Sequence, residues 1–298
     1  MTVTGTRNVA EPEVVYHYTT METMLKIAQG ASIWATSISY LNDISEGEHF
    51  VKLIRDRIPI YRETHPLEDE DIFKAFLGRS DLGFENRPFV ASFSQEADSL
   101  PQWRSYCSNG NGVAIGFAVD CLKRASVEPK PAAAASQALR IIPKVTFKAI
   151  EYLDASRPQS LDSEISTAVE RAILMARENL DVQRHRIEEP ADYFGMMIEQ
   201  LAGFKKHPSF SNEREYRLLL DGTLWNRMYL EFRPTRPTLV PYIPVHLPRE
   251  SRARSRTEKS FLGPYSAHWD FIDRVVIGPP PIRNCRLKRS LRSLASNR

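Results

Sequence analysis

Glu13-Val14-Val15-Tyr16-His17-Tyr18-Thr19, followed by Thr20-Met21-Glu22-Thr23-Met24-Leu25-Lys26-Ile27-Ala28-Gln29-Gly30, is the stretch whose reading decides the fold. Val14, Val15, Tyr16 and Tyr18 favour extended backbone, so residues 13–19 are expected to form a strand. A helix follows at once. Thr19 and Glu22 have the spacing of a capping box, Met21, Met24, Leu25 and Ala28 make an apolar stripe, and Gly30 closes the helix. Strand and helix therefore alternate at the start of the chain.

The pattern continues outward from this junction. Residues 32–36 read as a strand, residues 45–61 and 68–77 as amphipathic helices, and residues 88–93 as a buried strand. A short helix with Pro101 in its first turn is expected over residues 100–106, and a strand over 112–117. Residues 127–136, with four successive alanines, read as a linker, and 141–150 return to strand character. Residues 163–205 are mostly helical with a break near Pro190. After that strands dominate: 213–220, 227–232, 239–245 and 274–277. Residues 247–260 form a polar loop rich in arginine, and residues from 284 a basic tail. Helices interleaved with strands early and strands clustered late favour an α+β fold with a mixed or antiparallel sheet over a doubly wound parallel one. No internal repeat is visible. One domain over 1–298 is expected, with a core at about 13–281 and a tail at 282–298.

Bulk composition narrows the class. At 298 residues the chain can bury a large core, and 42% hydrophobic with 26% charged residues is ordinary for a globular protein. A net charge of +3 permits a nucleic-acid partner without arguing for one. No apolar run approaches the roughly 20 residues of a membrane span. Met1 to Pro12 lack the apolar centre of a signal peptide, and Cys107, Cys121 and Cys285 make neither a disulfide framework nor a CxxC knuckle. A reducing cytoplasm is the expected location, with no membrane partner.

Several residue groups carry chemistry. His17 alternates with Tyr16 and Tyr18, so it faces away from both, at a strand end where an imidazole can bond a ligand hydroxyl. A half-buried histidine bonded to backbone is the plainer reading. Glu213, Glu215 and Arg217 fall on one face of the strand expected at 213–220, with successive carboxylates about 7 Å apart. One carboxylate can activate a hydroxyl while the other orients a substrate; a solvent-facing Glu/Arg ladder on an edge strand is the structural alternative. Lys205, Lys206 and His207 just upstream add positive charge suited to phosphates. Ser92 and Ser94 share a strand face, and Trp103 and Tyr106 lie three apart on one side of a helix. Together they read as an aromatic shelf beside hydroxyls, or as ordinary core. Gly110-Asn111-Gly112 precedes a strand rather than a helix and reads as a turn, not a dinucleotide loop. Asn42, Asp43 and Glu46 are too few for a calcium loop, and the seven histidines show no zinc spacing. Arg252, Arg254 and Arg256 with Arg286, Lys288, Arg289 and Arg292 read as a solvated loop and tail, with contact to nucleic acid as the alternative.

Taken in order, these segments resemble a bacterial family known only as domain-of-unknown-function family 2971. The matching stretches are Tyr16-His17-Tyr18-Thr19-Thr20, Ile33-Trp34-Ala35-Thr36, Leu41-Asn42-Asp43 with Glu46, Ser92-Phe93-Ser94 and Trp103-Arg104-Ser105-Tyr106. Gly112-Val113-Ala114-Ile115-Gly116-Phe117, Glu213-Arg214-Glu215-Tyr216-Arg217 and Val275-Val276-Ile277-Gly278-Pro279 complete the set. The first block also resembles the opening of ADP-ribosyltransferase-like domains. That resemblance implies a split, mostly antiparallel β-sheet with helical excursions and NAD as substrate. By position, His17 would hold the NAD ribose, with Tyr18 and Thr19 beside it. Ser92, Ser94 or Tyr106 would take the middle role at nicotinamide, with Trp103 and Arg217 lining the same site. Glu215 would be the catalytic carboxylate and Glu213 the neighbour that tunes the acceptor.

The implied activity is transfer of ADP-ribose to a macromolecule, protein or nucleic acid, or hydrolysis of NAD, in a toxin or phage-defence effector that an antitoxin or other partner protein would accompany. The competing expectation is a non-catalytic module that keeps the fold to bind a nucleotide, RNA or a partner. A phosphotransferase- or nuclease-like RNA enzyme is a third, supported only by the basic loop and tail.

Overall fold

The computed structural model describes residues 10–41, 88–107, 112–128, 143–153, 161–178, 188–220, 229–235, 238–248 and 271–279, with single residues and short pieces between 50 and 74. In chain order the elements are β1 (Val14–Thr20), α1 (Met21–Gly30), β2 (Ser32–Ser37), β3 (Phe89–Ser94), α2 (Leu100–Tyr106), β4 (Gly112–Ala118) and α3 (Val119–Lys123). They continue with β5 (Val145–Ala149), β6 (Glu151–Tyr152), α4 (Asp162–Glu178), α5 (Glu188–Gly203) and β7 (Lys205–Lys206). A 3-10 turn (Pro208–Glu213) leads into β8 (Glu215–Leu220), and β9 (Glu231–Thr235), β10 (Thr238–His246) and β11 (Ile272–Ile277) follow. The chain is α+β with mostly antiparallel strands. Strands β6 and β7 pair parallel. No described helix is long and apolar enough to cross a membrane.

The chain divides into two compact units interleaved along the sequence. The first holds Met1–Ala31, Phe93–Cys121 and Pro248–Arg298. Here β4 lies between β1 and β11, antiparallel to both, and β1 meets the end of β3 where Tyr16 pairs Ser94. Alternation along β1 sorts its side chains as the sequence predicts. Tyr16 and Tyr18 are buried against Trp103 and Ala114, while His17, on the other face, lies with its ring centroid 5.6 Å from that of Phe93. Gly112 opens β4 because nothing larger fits: a Cβ there would lie 2.1 Å from the Cβ of Cys107.

The second unit holds Ser32–Ser92 and Leu122–Leu247. In it β10 sits between β2 and β9, β2 pairs the start of β3, and β8 pairs β3 and β5. Two apolar clusters support these strands. Phe50, Ile54, Leu161, Ile165, Val169, Phe194 and Ile198 pack helical residues, including α4 and α5, against one another. Val90, Ile150, Phe204 and Leu219 close the space beside β8. Burial of such side chains contributes roughly 1.5–3 kcal/mol each.

Local boundaries differ from the sequence reading for identifiable reasons. The N-cap of α1 is Thr20, whose Oγ1 accepts from the Thr23 amide, one residue beyond the expected Thr19. Gly30 remains helical, and Ala31 instead adopts the left-handed conformation at φ 47°. Pro190 falls in the first turn of α5, where a missing amide proton costs nothing. Strand β9 begins at Glu231 and runs through Pro234, which an edge strand tolerates. The expected strand at 213–220 begins only at Glu215. Glu213 ends the 3-10 turn, and Arg214, at φ 43°, turns the chain between them. The Asn42–Glu46 turn, the 68–77 helix apart from helical Lys74, most of the 127–136 linker, Gly110 and Asn111, the arginine-rich loop and the basic tail lie outside the described residues.

Candidate functional site

The second unit contains a buried charge cluster built on β8. Alternation brings Glu215 and Arg217 to one face, and both are only 5% exposed. Arg217 donates from Nε to Glu215 Oε1 at 2.6 Å, from Nη2 to Oε2 at 3.3 Å, and from Nη1 to the Gly203 carbonyl at 2.8 Å. Lys206 on β7 is equally hidden. Its Nζ donates to Glu213 Oε2 at 2.6 Å and to Glu215 Oε2 at 3.3 Å, and lies 4.7 Å from the centre of the Phe210 ring. The Glu215 amide donates to the Tyr152 hydroxyl at 2.8 Å, and Ser92 hydrogen-bonds the Glu215 carboxyl.

This arrangement sets the state of the carboxylate. Burial alone pushes the Glu215 carboxyl up, toward the neutral form. The charges of Arg217 and Lys206, with hydrogen bonds from Arg217 and Ser92, outweigh burial and hold it below the usual glutamate range. Burial raises the Tyr152 phenol, so it stays protonated beside the cluster. The edge-strand ladder considered from the sequence is excluded, because these side chains are interior. Glu213 is not the strand neighbour of Glu215; it joins the cluster from the 3-10 turn through Lys206, and its side chain is 25% exposed.

Lys205 and Lys206 do not form the phosphate-holding surface that the sequence suggested. Both are buried and paired, Lys205 with Glu151 and Glu164 and Lys206 with Glu213 and Glu215. His207 instead accepts the Ser209 amide at Nδ1, capping the turn. Burial of adjacent lysines is rare, and a Lys-Lys pair in sequence reads as solvated. The role of Tyr152 had no sequence signal at all.

The remaining candidates lie in the first unit. Tyr18 donates its hydroxyl to the Glu96 carbonyl at 2.6 Å and accepts from the Ser99 amide at 2.9 Å. Its ring meets Trp103 edge-on at 4.6 Å. Burial pushes its phenol up to about 12. Trp103 is buried and donates Nε1–H to Asp98 at 2.6 Å, whereas Tyr106 is 47% exposed, so the two do not form one shelf. Ser94 is buried, with its Oγ accepting the Glu96 amide. Thr19 accepts at its carbonyl from Cys107 Sγ. Tyr18, Trp103 and Ser94 thus pin the segment after β3, and His17 stands half-buried on the other face of β1. Tyr18→Phe is expected to cost about 1–3 kcal/mol by orphaning the Glu96 carbonyl and the Ser99 amide, as a urea unfolding curve would show.

A family model described as a protein of unknown function (DUF2971) matches residues 102–218. That span contains Lys206, Glu213, Glu215 and Arg217 but neither His17 nor Ser92. No curated protein and no solved structure matches the chain. Among the described residues no three His, Cys, Asp or Glu side chains gather as metal ligands would.

Proposed function

We propose that the chain is an ADP-ribosyltransferase-like enzyme that breaks the nicotinamide–ribose bond of NAD and transfers ADP-ribose to a protein or nucleic acid. The observation that carries this reading is the meeting of Ser92 and Glu215. Two residues with separate roles in the resemblance, one from β3 and one from β8, converge on a single carboxylate held ionised. Departure of nicotinamide leaves positive charge on the ribose, and an ionised carboxylate near the ribose 2-hydroxyl stabilises that charge. A mostly antiparallel sheet suits the split sheet that the resemblance implies.

The burial of Glu215 favours a second reading, a non-catalytic module whose charge cluster only holds β8 in place. Isothermal titration of the whole chain with NAD, together with chromatographic measurement of nicotinamide release, separates the two. Binding with release of nicotinamide is expected. Neither binding nor release, with protein and nucleic-acid acceptors both supplied, would remove the enzyme reading and leave the module.

A further inference from the structure

The sequence offers Lys206 only as part of a basic patch, and the resemblance assigns it nothing. Its placement is specific. It stands on β7 opposite Tyr152 of β6 in parallel register, and its Nζ lies between Glu213 of the 3-10 turn and Glu215 of β8, at 2.6 and 3.3 Å. Among the described residues, the groups facing this ammonium include those two carboxylates, the Tyr152 phenol and the Phe210 ring, while Arg217 also bonds Glu215. Two carboxylates brought to one cation repel each other once that cation is removed, and one of them then takes up a proton more readily.

Resting on the NAD-transferase reading above, we propose that Lys206 is a positioning residue for that reaction, holding Glu213 beside Glu215 and keeping the pair doubly ionised. Lys206 does not touch substrate. It acts through the carboxylates, one buried and one partly open to solvent. Arg217 cannot replace it, because the Arg217 nitrogens are directed to Glu215 and to the Gly203 carbonyl. A purely structural lysine would affect stability and yield. A lysine that sets the charge of the pair must also move the pH at which the pair takes up a proton.

The test compares wild type with Lys206→Met in two readouts. In the pH profile of nicotinamide release from NAD, the acid limb is expected to rise by about one unit or more in Lys206→Met. Carboxyl-carbon NMR of the same proteins, recorded without NAD, is expected to show Glu213 or Glu215 titrating higher by a similar amount. An NMR titration unchanged in folded Lys206→Met overturns the proposal. A wild type that releases no nicotinamide, with the NMR shift present, removes the transferase reading while the electrostatic role of Lys206 stands. Should Lys206→Met not fold, Lys206→Met/Glu213→Gln carries the test, since it removes one charge of each sign. Glu215 in that variant is expected to titrate within about half a unit of wild type, and an upward shift beyond about one unit overturns the proposal.

Discussion

Replacing Arg217 with methionine is expected to lower the unfolding free energy by about 3–5 kcal/mol, the cost of stranding one member of a buried ion pair. Methionine approximates the arginine stem in volume, so the loss would come from electrostatics rather than from a cavity. Two contacts to Glu215 and one to the Gly203 carbonyl disappear together. Lys206 remains, but its contact to Glu215, at 3.3 Å, is longer than its contact to Glu213. Glu215 would then stay buried with a weaker counter-charge. Urea unfolding at neutral pH measures the effect directly.

The pH dependence has a definite sign. In the folded wild type Glu215 is held below the ordinary glutamate range, so its stabilisation is complete above an unfolded-chain value of about 4.3. It drains away as pH falls through the lower folded value. Arg217→Met removes the larger of the two attractions that depress it, so acid unfolding should begin at higher pH than in wild type. If stability and acid tolerance both match wild type, the Glu215–Arg217 contact contributes little and the cluster does not organise β8. A Glu215→Leu/Arg217→Met double variant sharpens the result. Removing both charges at once is expected to recover part of the loss, because an apolar pair carries no stranded ion.

The parts of the fold legible from sequence are those where pattern and packing agree. The β1 alternation sorts Tyr16 and Tyr18 from His17 because one face meets Trp103 and the other Phe93. The α2 limits are those expected, since Pro101 fits only a first turn. What stayed hidden depends on the chain approaching itself. The carboxylates of Glu213 and Glu215 are two apart in any strand, but a left-handed Arg214 breaks that strand, and no side-chain pattern announces a positive φ at arginine. Ala31 takes the left-handed position next to a glycine that could have held it.

The candidate site divides in the same way. Glu215 and Arg217 follow from alternation, because i and i+2 share a face whatever lies across from them. Their burial does not follow, since a Glu-x-Arg pair on a strand looks solvent-facing until the Gly203 carbonyl and Lys206 meet that face. The pairing of Lys206 is hidden for the same reason, since its partners come from β8 and the 3-10 turn. Tyr18 and Trp103 carried aromatic character suited equally to a ligand and to a core, and their hydrogen bonds to Glu96, Ser99 and Asp98 show how completely the core uses them.

Glu215→Gln is expected to lower nicotinamide release from NAD by a factor on the order of 10²–10³, the scale seen when a single preorganised electrostatic contact to a transition state is lost. Glutamine keeps the shape of the side chain, and its amide oxygen can still accept from Arg217 Nε, so Arg217 keeps a hydrogen-bond partner while losing its counter-charge. The kinetic signature distinguishes the role. A carboxylate that stabilises charge developing on the ribose acts in the transition state, so kcat should fall while KM for NAD changes little. A residue that merely organised β8 would instead lower the amount of folded protein, leaving kcat per folded molecule unchanged. Measuring turnover per folded molecule, with the folded fraction taken from the same sample by circular dichroism, separates these outcomes. Activity within tenfold of wild type would assign Glu215 to the framework, and the reacting carboxylate would have to be sought elsewhere, with Glu213 first because its side chain is five times as exposed as that of Glu215, 25% against 5%.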